Sequence, residues 1–176
     1  MHKWIRLTIS WPLKKYRMFN SFIYTWLVRI QTGSFKGKLR ANGRCQISKT
    51  TILGNNVHFN GMKILGLGRV IIGDNFHSGT ECLMLTQFHN YDSGSAIPYD
   101  HTYICKDINI QDNVWLGSRV IVLGGVTIGE GAIIQAGSVV VSNIPDFAIA
   151  GGHPARVFSM RNIEHYQKLK REGKFH

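Results

Sequence analysis

The stretch IQDNVWLGSRVIVLGGVTIGEGAIIQAGSVVVSNI, residues 110–144, decides the fold. An aliphatic residue returns at every sixth position without a slip: Ile110, Leu116, Val122, Ile128, Ile134 and Val140. Four residues after each comes a small or β-branched one, namely Val114, Val120, Val126, Ala132, Ser138 and Ile144. A helix would repeat at about 3.6 residues and a lone strand at about 2, so neither explains the pattern. A period of six describes a parallel β-helix, in which each unit makes one short strand and one corner, and three units close a triangular coil of about eighteen residues. The aliphatic residue fills the interior and the small one lets the backbone turn. Successive coils then hydrogen-bond at a strand spacing of about 4.8 Å.

Upstream the pattern is looser. Ile47, Leu53, Phe59 and Leu65 keep the period, and one extra residue intervenes before Ile72, Ser78 and Met84. Residues 41–145 thus amount to about four to five coils. Such a prism has unpaired strand edges at both ends, which need cover. The N-terminal segment is expected to cap one end, and RNIEHYQKLKREG at 161–173, which reads as a short helix, the other. The expected fold is all-β: a parallel β-helix with an N-terminal helical appendage and a short C-terminal helix. Its divisions are a basic segment over 1–40, the β-helix domain over 41–160 and a helical cap over 161–176. The repeat breaks once, at 87–105 (QFHNYDSGSAIPYDHTYIC), where His89, Tyr91, Asp92, Tyr99, Asp100 and His101 form the densest polar cluster of the chain. Loops expelled from a rigid scaffold commonly carry function.

Composition narrows the class. With 44% hydrophobic and 18% charged residues the chain is not a disordered one, and 19 Gly in 176 residues excludes a collagen-like repeat. The net charge of +11 is unevenly placed: residues 1–73 hold thirteen basic side chains and no acidic one, while Asp74 to Ala155 is net acidic. Cys45, Cys82 and Cys105 form no C-x-x-C pair, which argues against a disulfide framework or a four-cysteine zinc site and for a reducing, cytoplasmic compartment. Cys45 and Cys82 fall on small-residue positions of the repeat and read as buried hydrophobes. No apolar run approaches the roughly twenty residues of a membrane span, and charged residues interrupt every candidate signal peptide.

Residues 16–30 place Phe19, Ile23, Trp26 and Ile30 at helical spacing. The first reading is a helix packed on its own domain or on a neighbouring subunit. The second, which also uses Trp4, Trp11 and the six cations of residues 1–29, is an interfacial helix on anionic lipid. Nucleic acid ranks last, because no recognisable nucleic-acid module accompanies the charge.

Three segments, His89-Asn90-Tyr91-Asp92, Asp112-Asn113-Val114-Trp115-Leu116-Gly117-Ser118 and Gly151-Gly152-His153-Pro154-Ala155-Arg156-Val157, carry a resemblance. Over about residues 41–160 the chain resembles the left-handed β-helix acyltransferases with hexapeptide repeats. These include maltose and galactoside O-acetyltransferases, streptogramin acetyltransferases and capsule or lipopolysaccharide O-acetyltransferases. The resemblance implies a left-handed coil, acetyl-CoA as co-substrate without a metal, and a homotrimer with the coenzyme groove between adjacent subunits. It implies His89 as general base on an acceptor hydroxyl, a task suited to imidazole, whose ordinary pKa lies near neutrality. Asp92 is expected to orient that ring. Trp115, Ser118, Ala136 and Arg156 match coenzyme-contacting positions. Val141-Ser142-Asn143 stands where many members have Thr-Lys-Asp, so Val141 and Ser142 keep the contact while a phosphate-pairing lysine is lost; Arg161 or Lys168 would replace it. Leu65-Gly66-Leu67-Gly68 stands where maltose-type enzymes carry an acidic residue, which favours a larger or anionic glycan.

The expected activity is transfer of acetyl from acetyl-CoA to a sugar hydroxyl of a surface-polysaccharide precursor, without a covalent enzyme intermediate. Residues 1–35 would hold this cytoplasmic protein peripherally at the inner membrane face. An antibiotic-modifying acetyltransferase is the nearest alternative. A γ-carbonic-anhydrase-like zinc protein is a weaker one, since His77, His89 and His101 lie twelve apart and no H-x-x-x-x-H occurs. A non-enzymatic scaffold with lipid- or nucleic-acid-binding ends is the third.

Overall fold

A computed structural model describes residues 2–176, with side chains from residue 15 onward. Trp4 and Trp11 therefore lie outside the described side chains. After helix α1 (His2–Gln31) the chain winds into a three-sided solenoid of about six turns. Sheet A holds β1 (Ser34–Phe35), β3 (Thr51–Leu53), β6 (Val70–Ile72), β11 (Ile108–Ile110) and β14 (Thr127–Ile128). Sheet B holds β2 (Leu39–Ala41), β4 (Val57–Asn60), β7 (His77–Thr80), β12 (Trp115–Leu116), β15 (Ile133–Ile134), β17 (Ala148–Gly152) and β18 (Ala155–Met160). Sheet C holds β5 (Lys63–Leu65), β8 (Leu83–Leu85), β13 (Ile121–Leu123) and β16 (Val139–Val140). A two-stranded hairpin, β9 (Gln87–His89) with β10 (Tyr103–Cys105), interrupts the winding, and helix α2 (Ile163–Arg171) follows β18.

The repeat sets this register directly. Ile110 lies between Ile72 and Ile128, and Leu116 between Ser78 and Ile134, all in parallel pairing. Every aliphatic residue of the 110–140 series is buried, as are Val114, Val120, Val126, Ala132 and Ser138. Each fully buried large aliphatic contributes about 1.5–3 kcal/mol, so the interior column is the main source of stability. Cys45 and Cys82 sit in that column, and burial pushes both thiols up from their ordinary range.

Two upstream expectations need correction. Ile64, not Leu65, enters the interior, because the unit after Phe59 is one residue short; Ile64 pairs with Met84, and the turn at 66–69 takes up the difference. The solenoid also starts earlier than residue 41, since β1 pairs with β3 and β2 with β4. Part of the segment assigned to the appendage is the first turn.

Corners are shaped by residues with left-handed backbone. Between sheets A and B, Asn56, Asn75 and Asn113 have φ of 59°, 55° and 61°, a conformation that asparagine tolerates better than most residues. Their amides form a ladder: Asn56 Nδ2 donates to Asn75 Oδ1 at 3.0 Å, and Asn75 Nδ2 to Asn113 Oδ1 at 3.0 Å.

The ends are covered in two ways. α1 lies on β2 and meets the open edge of the first turn: Thr25 Oγ1 accepts from Ala41 N at 2.9 Å, Gln31 Oε1 accepts from Ile47 N at 2.9 Å, and Val28 is buried. The stripe predicted to pack is not the one that does. Phe19, Trp26 and Ile30 point outward, while Thr25, Val28 and Gln31 face the solenoid, because the first turn offers unpaired backbone groups that polar side chains satisfy. At the other end β18 folds back antiparallel on β17 and covers the last edge. α2 does not cap that end; it runs back along the A–B corner, where Asn113 Nδ2 donates to Tyr166 Oη (2.7 Å), Tyr166 Oη donates to Glu130 Oε1 (2.8 Å), and Lys170 Nζ pairs with Glu130.

Candidate active site

The hairpin leaves the solenoid at the edge between sheets C and A, where Lys106 N donates to Thr86 O at 2.9 Å and closes its base. His89 ends β9 opposite Tyr103. Its ring stacks on Tyr99 with centroids 3.7 Å apart and leans on Tyr103 at 4.8 Å. Nδ1 is enclosed without a hydrogen-bond partner among the described residues, which leaves Nε2 as the nitrogen available to a substrate proton. A groove of about 400 Å³ runs beside the ring, walled by Leu65, Gly66, Leu67, Phe88 and Tyr103. Leu67 is 72% exposed there. The segment lacking the acidic residue of maltose-type enzymes is therefore the wall next to His89.

Asp92 does not join this arrangement. It is exposed and makes no hydrogen bond to His89; the two tyrosines hold the ring instead. The carboxylate that organises the loop is Asp100, which accepts from Thr102 Oγ1 and N at 2.5 and 2.8 Å and from Ser95 N and Oγ at 2.8 and 3.2 Å. The Thr102 hydroxyl, then the Ser95 and Thr102 backbone N–H groups, hold its carboxyl well below the usual range. Asn90 does similar work, accepting from Ser93 N and Oγ and donating to Thr102 Oγ1. A short polar side chain followed two or three residues later by Ser or Thr is the sequence signal for both turns. Tyr103 had no such signal.

The coenzyme candidates divide between two edges and the face of sheet B. Ser118 and Ala136 stack on the B–C edge: Gly137 N donates to Ser118 O at 2.8 Å, and a Cβ added at Gly117 would sit 2.5 Å from Ala136 N. Arg156 pairs with Gly151 at the end of that edge and is exposed. Trp115, 53% exposed on sheet B, lines a cavity of about 560 Å³ beneath α2 with His77, Arg161 and His165. Val141 and Ser142 follow β16 on the C–A edge, the one that expels the hairpin. Neither of these two cavities contains both His89 and Trp115. Arg161 is engaged elsewhere, donating to Gly131 O at 3.1 Å and lying over the Tyr166 ring.

His77, His89 and His101 do not converge, and among the described residues no group of three His, Cys, Asp or Glu is placed to hold a metal ion. His77 instead packs on His58 and His176, with centroids 4.4 and 5.2 Å away. Burial, then the neighbouring His77, Arg40 and His176, pushes His58 down to about 4, and burial followed by His176 lowers His77. Below the ordinary value of 6.5 the unfolded chain takes up protons that the folded chain refuses, so stability present above pH 6.5 is lost as pH falls toward about 4. A melting series across that window should show a declining Tm and a shallower decline in His58→Gln. Equal slopes would assign the acid sensitivity to other groups.

Comparison with known proteins agrees with this architecture. A family profile described as bacterial transferase hexapeptide (six repeats) matches residues 107–142. A maltose O-acetyltransferase of Clostridium difficile 630 is similar at 30% identity with a TM-score of 0.66, over 76% of this chain and 72% of that one. A hexapeptide-repeat acetyltransferase of Vibrio cholerae O1 biovar eltor, in a structure complexed with acetyl-CoA, is 28% identical with a TM-score of 0.60, over 76% of this chain and 74% of that one. A provisionally named acetyltransferase of Schizosaccharomyces pombe is 42% identical over 122 residues, 63% of this chain and 55% of its own length. The chain thus spans about half the length of that relative, and likewise of one from Saccharomyces cerevisiae. The chain belongs to the hexapeptide-repeat acyltransferase family.

Proposed function

We propose that the protein is an acetyl-CoA-dependent O-acetyltransferase whose acceptor is a sugar hydroxyl of a surface-polysaccharide precursor in the cytoplasm. The observation that carries the reading is His89, packed against two tyrosines on a hairpin expelled from the solenoid and lining a groove. The acceptor hydroxyl attacks the thioester carbonyl while Nε2 takes its proton. The tetrahedral intermediate then collapses, expelling the coenzyme thiolate, which recovers the proton from the imidazolium. No enzyme nucleophile takes part. Tyr99 and Tyr103 offer aromatic faces to a sugar ring, and the Leu65–Leu67 wall suits a glycan gripped over several residues better than a small free sugar.

Assembly as a homotrimer completes the site in this reading. One edge carries His89, Val141 and Ser142, and another carries Ser118, Ala136 and Arg156. Opposing unlike edges of neighbouring copies is a head-to-tail contact, which closes into a ring. In the central strands of sheet C between those edges the outward positions are aliphatic, namely Leu83, Leu85, Ile121 and Leu123, which supports self-association there. Thiol release from acetyl-CoA, screened against nucleotide sugars, oligosaccharides and lipid-linked glycans, tests the proposal; release with a streptogramin alone would move the acceptor to antibiotics.

The same reading makes Asp100 a positioning residue. Asp100→Ala removes the acceptor for four hydrogen bonds of the hairpin and should lower kcat by about tenfold. Hydrogen exchange should rise at Ser95 and Thr102 while Tm stays unchanged. An unaltered exchange pattern would show that the loop is held by other contacts.

A further inference from the structure

We propose that the outward face of α1 is a docking surface for an anionic membrane, on which the protein lies without spanning it. The helix buries Val28 and turns Thr25 and Gln31 to the solenoid, yet leaves Phe22 and Trp26 71% and 55% exposed, with Met18, Phe19 and Ile30 exposed beside them. At 3.6 residues per turn these five fall within one arc of about 120°. The arc lies opposite Val28, so it is the outer surface of the end cap, and Arg29 is inside it. Phe35 on β1 extends the apolar surface onto the first turn, beneath the Arg29 guanidinium at 5.4 Å.

Charge selects the occupant. Lys36, Lys38, Arg40, Arg44 and Lys49 are exposed around the first turn, and none of them forms an ion pair among the described residues. The first acidic residue of the chain is Asp74, in the third turn. A second copy would bring the same cations against these and repel. An anionic bilayer takes aromatic side chains into its interface and meets a cationic rim with its headgroups. No described helix is long and apolar enough to cross a membrane, so the contact is peripheral. It places the hairpin groove on a protein held near lipid.

Co-sedimentation of the full chain with vesicles tests this, using phosphatidylcholine with phosphatidylglycerol against phosphatidylcholine alone. The chain should bind the anionic vesicles, and Phe22→Ser/Trp26→Ser should weaken binding by about tenfold or more. Lys36→Glu/Lys38→Glu, which leaves the aromatic face intact, should also weaken it and flatten its salt dependence. All substituted residues are exposed, and unchanged melting curves would verify folding. Binding no better to anionic than to neutral vesicles, or equal binding by the aromatic double variant, would overturn the proposal. So would a chain that ignores vesicles but dissociates from an oligomer when Phe22 and Trp26 are replaced. Sedimentation is read without turnover, so its outcome is independent of the proposed reaction.

Discussion

His89→Ala is expected to lower kcat for acetyl transfer by about 100- to 10,000-fold, the usual range for loss of a positioned general base. A sugar hydroxyl is barely ionised at neutral pH, and of the other histidines of the repeat and its loop, His101 is exposed while His58 and His77 lie together on sheet B. The apparent affinity for acetyl-CoA should stay within a few-fold, roughly, because Ser118, Ala136 and Arg156 belong to another edge. Stability should also persist, since His89 packs on Tyr99 and Tyr103 outside the interior column. Transfer assays with melting curves check all three. Full turnover by the variant with every accepted glycan would refute the base assignment, whereas a parallel loss of Tm would make the residue structural.

Phe59→Ala should cost about 3–5 kcal/mol of stability and lower Tm by about 10 °C for a chain of this size. Phe59 and Phe76 are both fully buried and meet edge to face at 5.9 Å, filling the second and third turns. Truncation leaves a void that stacked strands cannot close without breaking parallel pairing above and below. A solenoid is stabilised mainly through contacts between neighbouring turns. Hydrogen exchange should accordingly accelerate in α1 and the first three turns while residues 108–140 keep their protection. An exposed control, Leu67→Ala, should change stability by no more than about 0.5 kcal/mol. Uniform loss of protection would mean that the chain unfolds as a single cooperative block.

The interior was legible because its cause is local in sequence: a side chain six residues on from the last must point inward again. Ile110 through Val140, the small positions beside them, Cys45 and Cys82 all follow that rule. It failed at Leu65, where one missing residue shifted Ile64 inward. The expelled loop was equally readable, because it is the place where the period stops. Within it, the Asn90 and Asp100 turns carry recognisable signals, but the packing of Tyr99 from the loop and Tyr103 from β10 on the His89 ring does not, and Asp92 stays exposed without a bond to Nδ1.

What the sequence alone determined was the coil, its interior, the site of the expelled loop, its histidine and the cationic bias of the first 73 residues. Tertiary structure decided which candidates share an edge, that α2 follows the A–B corner instead of capping the end, and that the aromatic stripe of α1 faces outward. The physical reason is range. Interior positions obey a repeat written every six residues, whereas the Asn56 contact with the His176 carbonyl spans 120 residues and the Asn113–Tyr166 bond spans 53. Surface partners so far apart leave no periodic mark on the chain, and they become visible only once the turns are stacked.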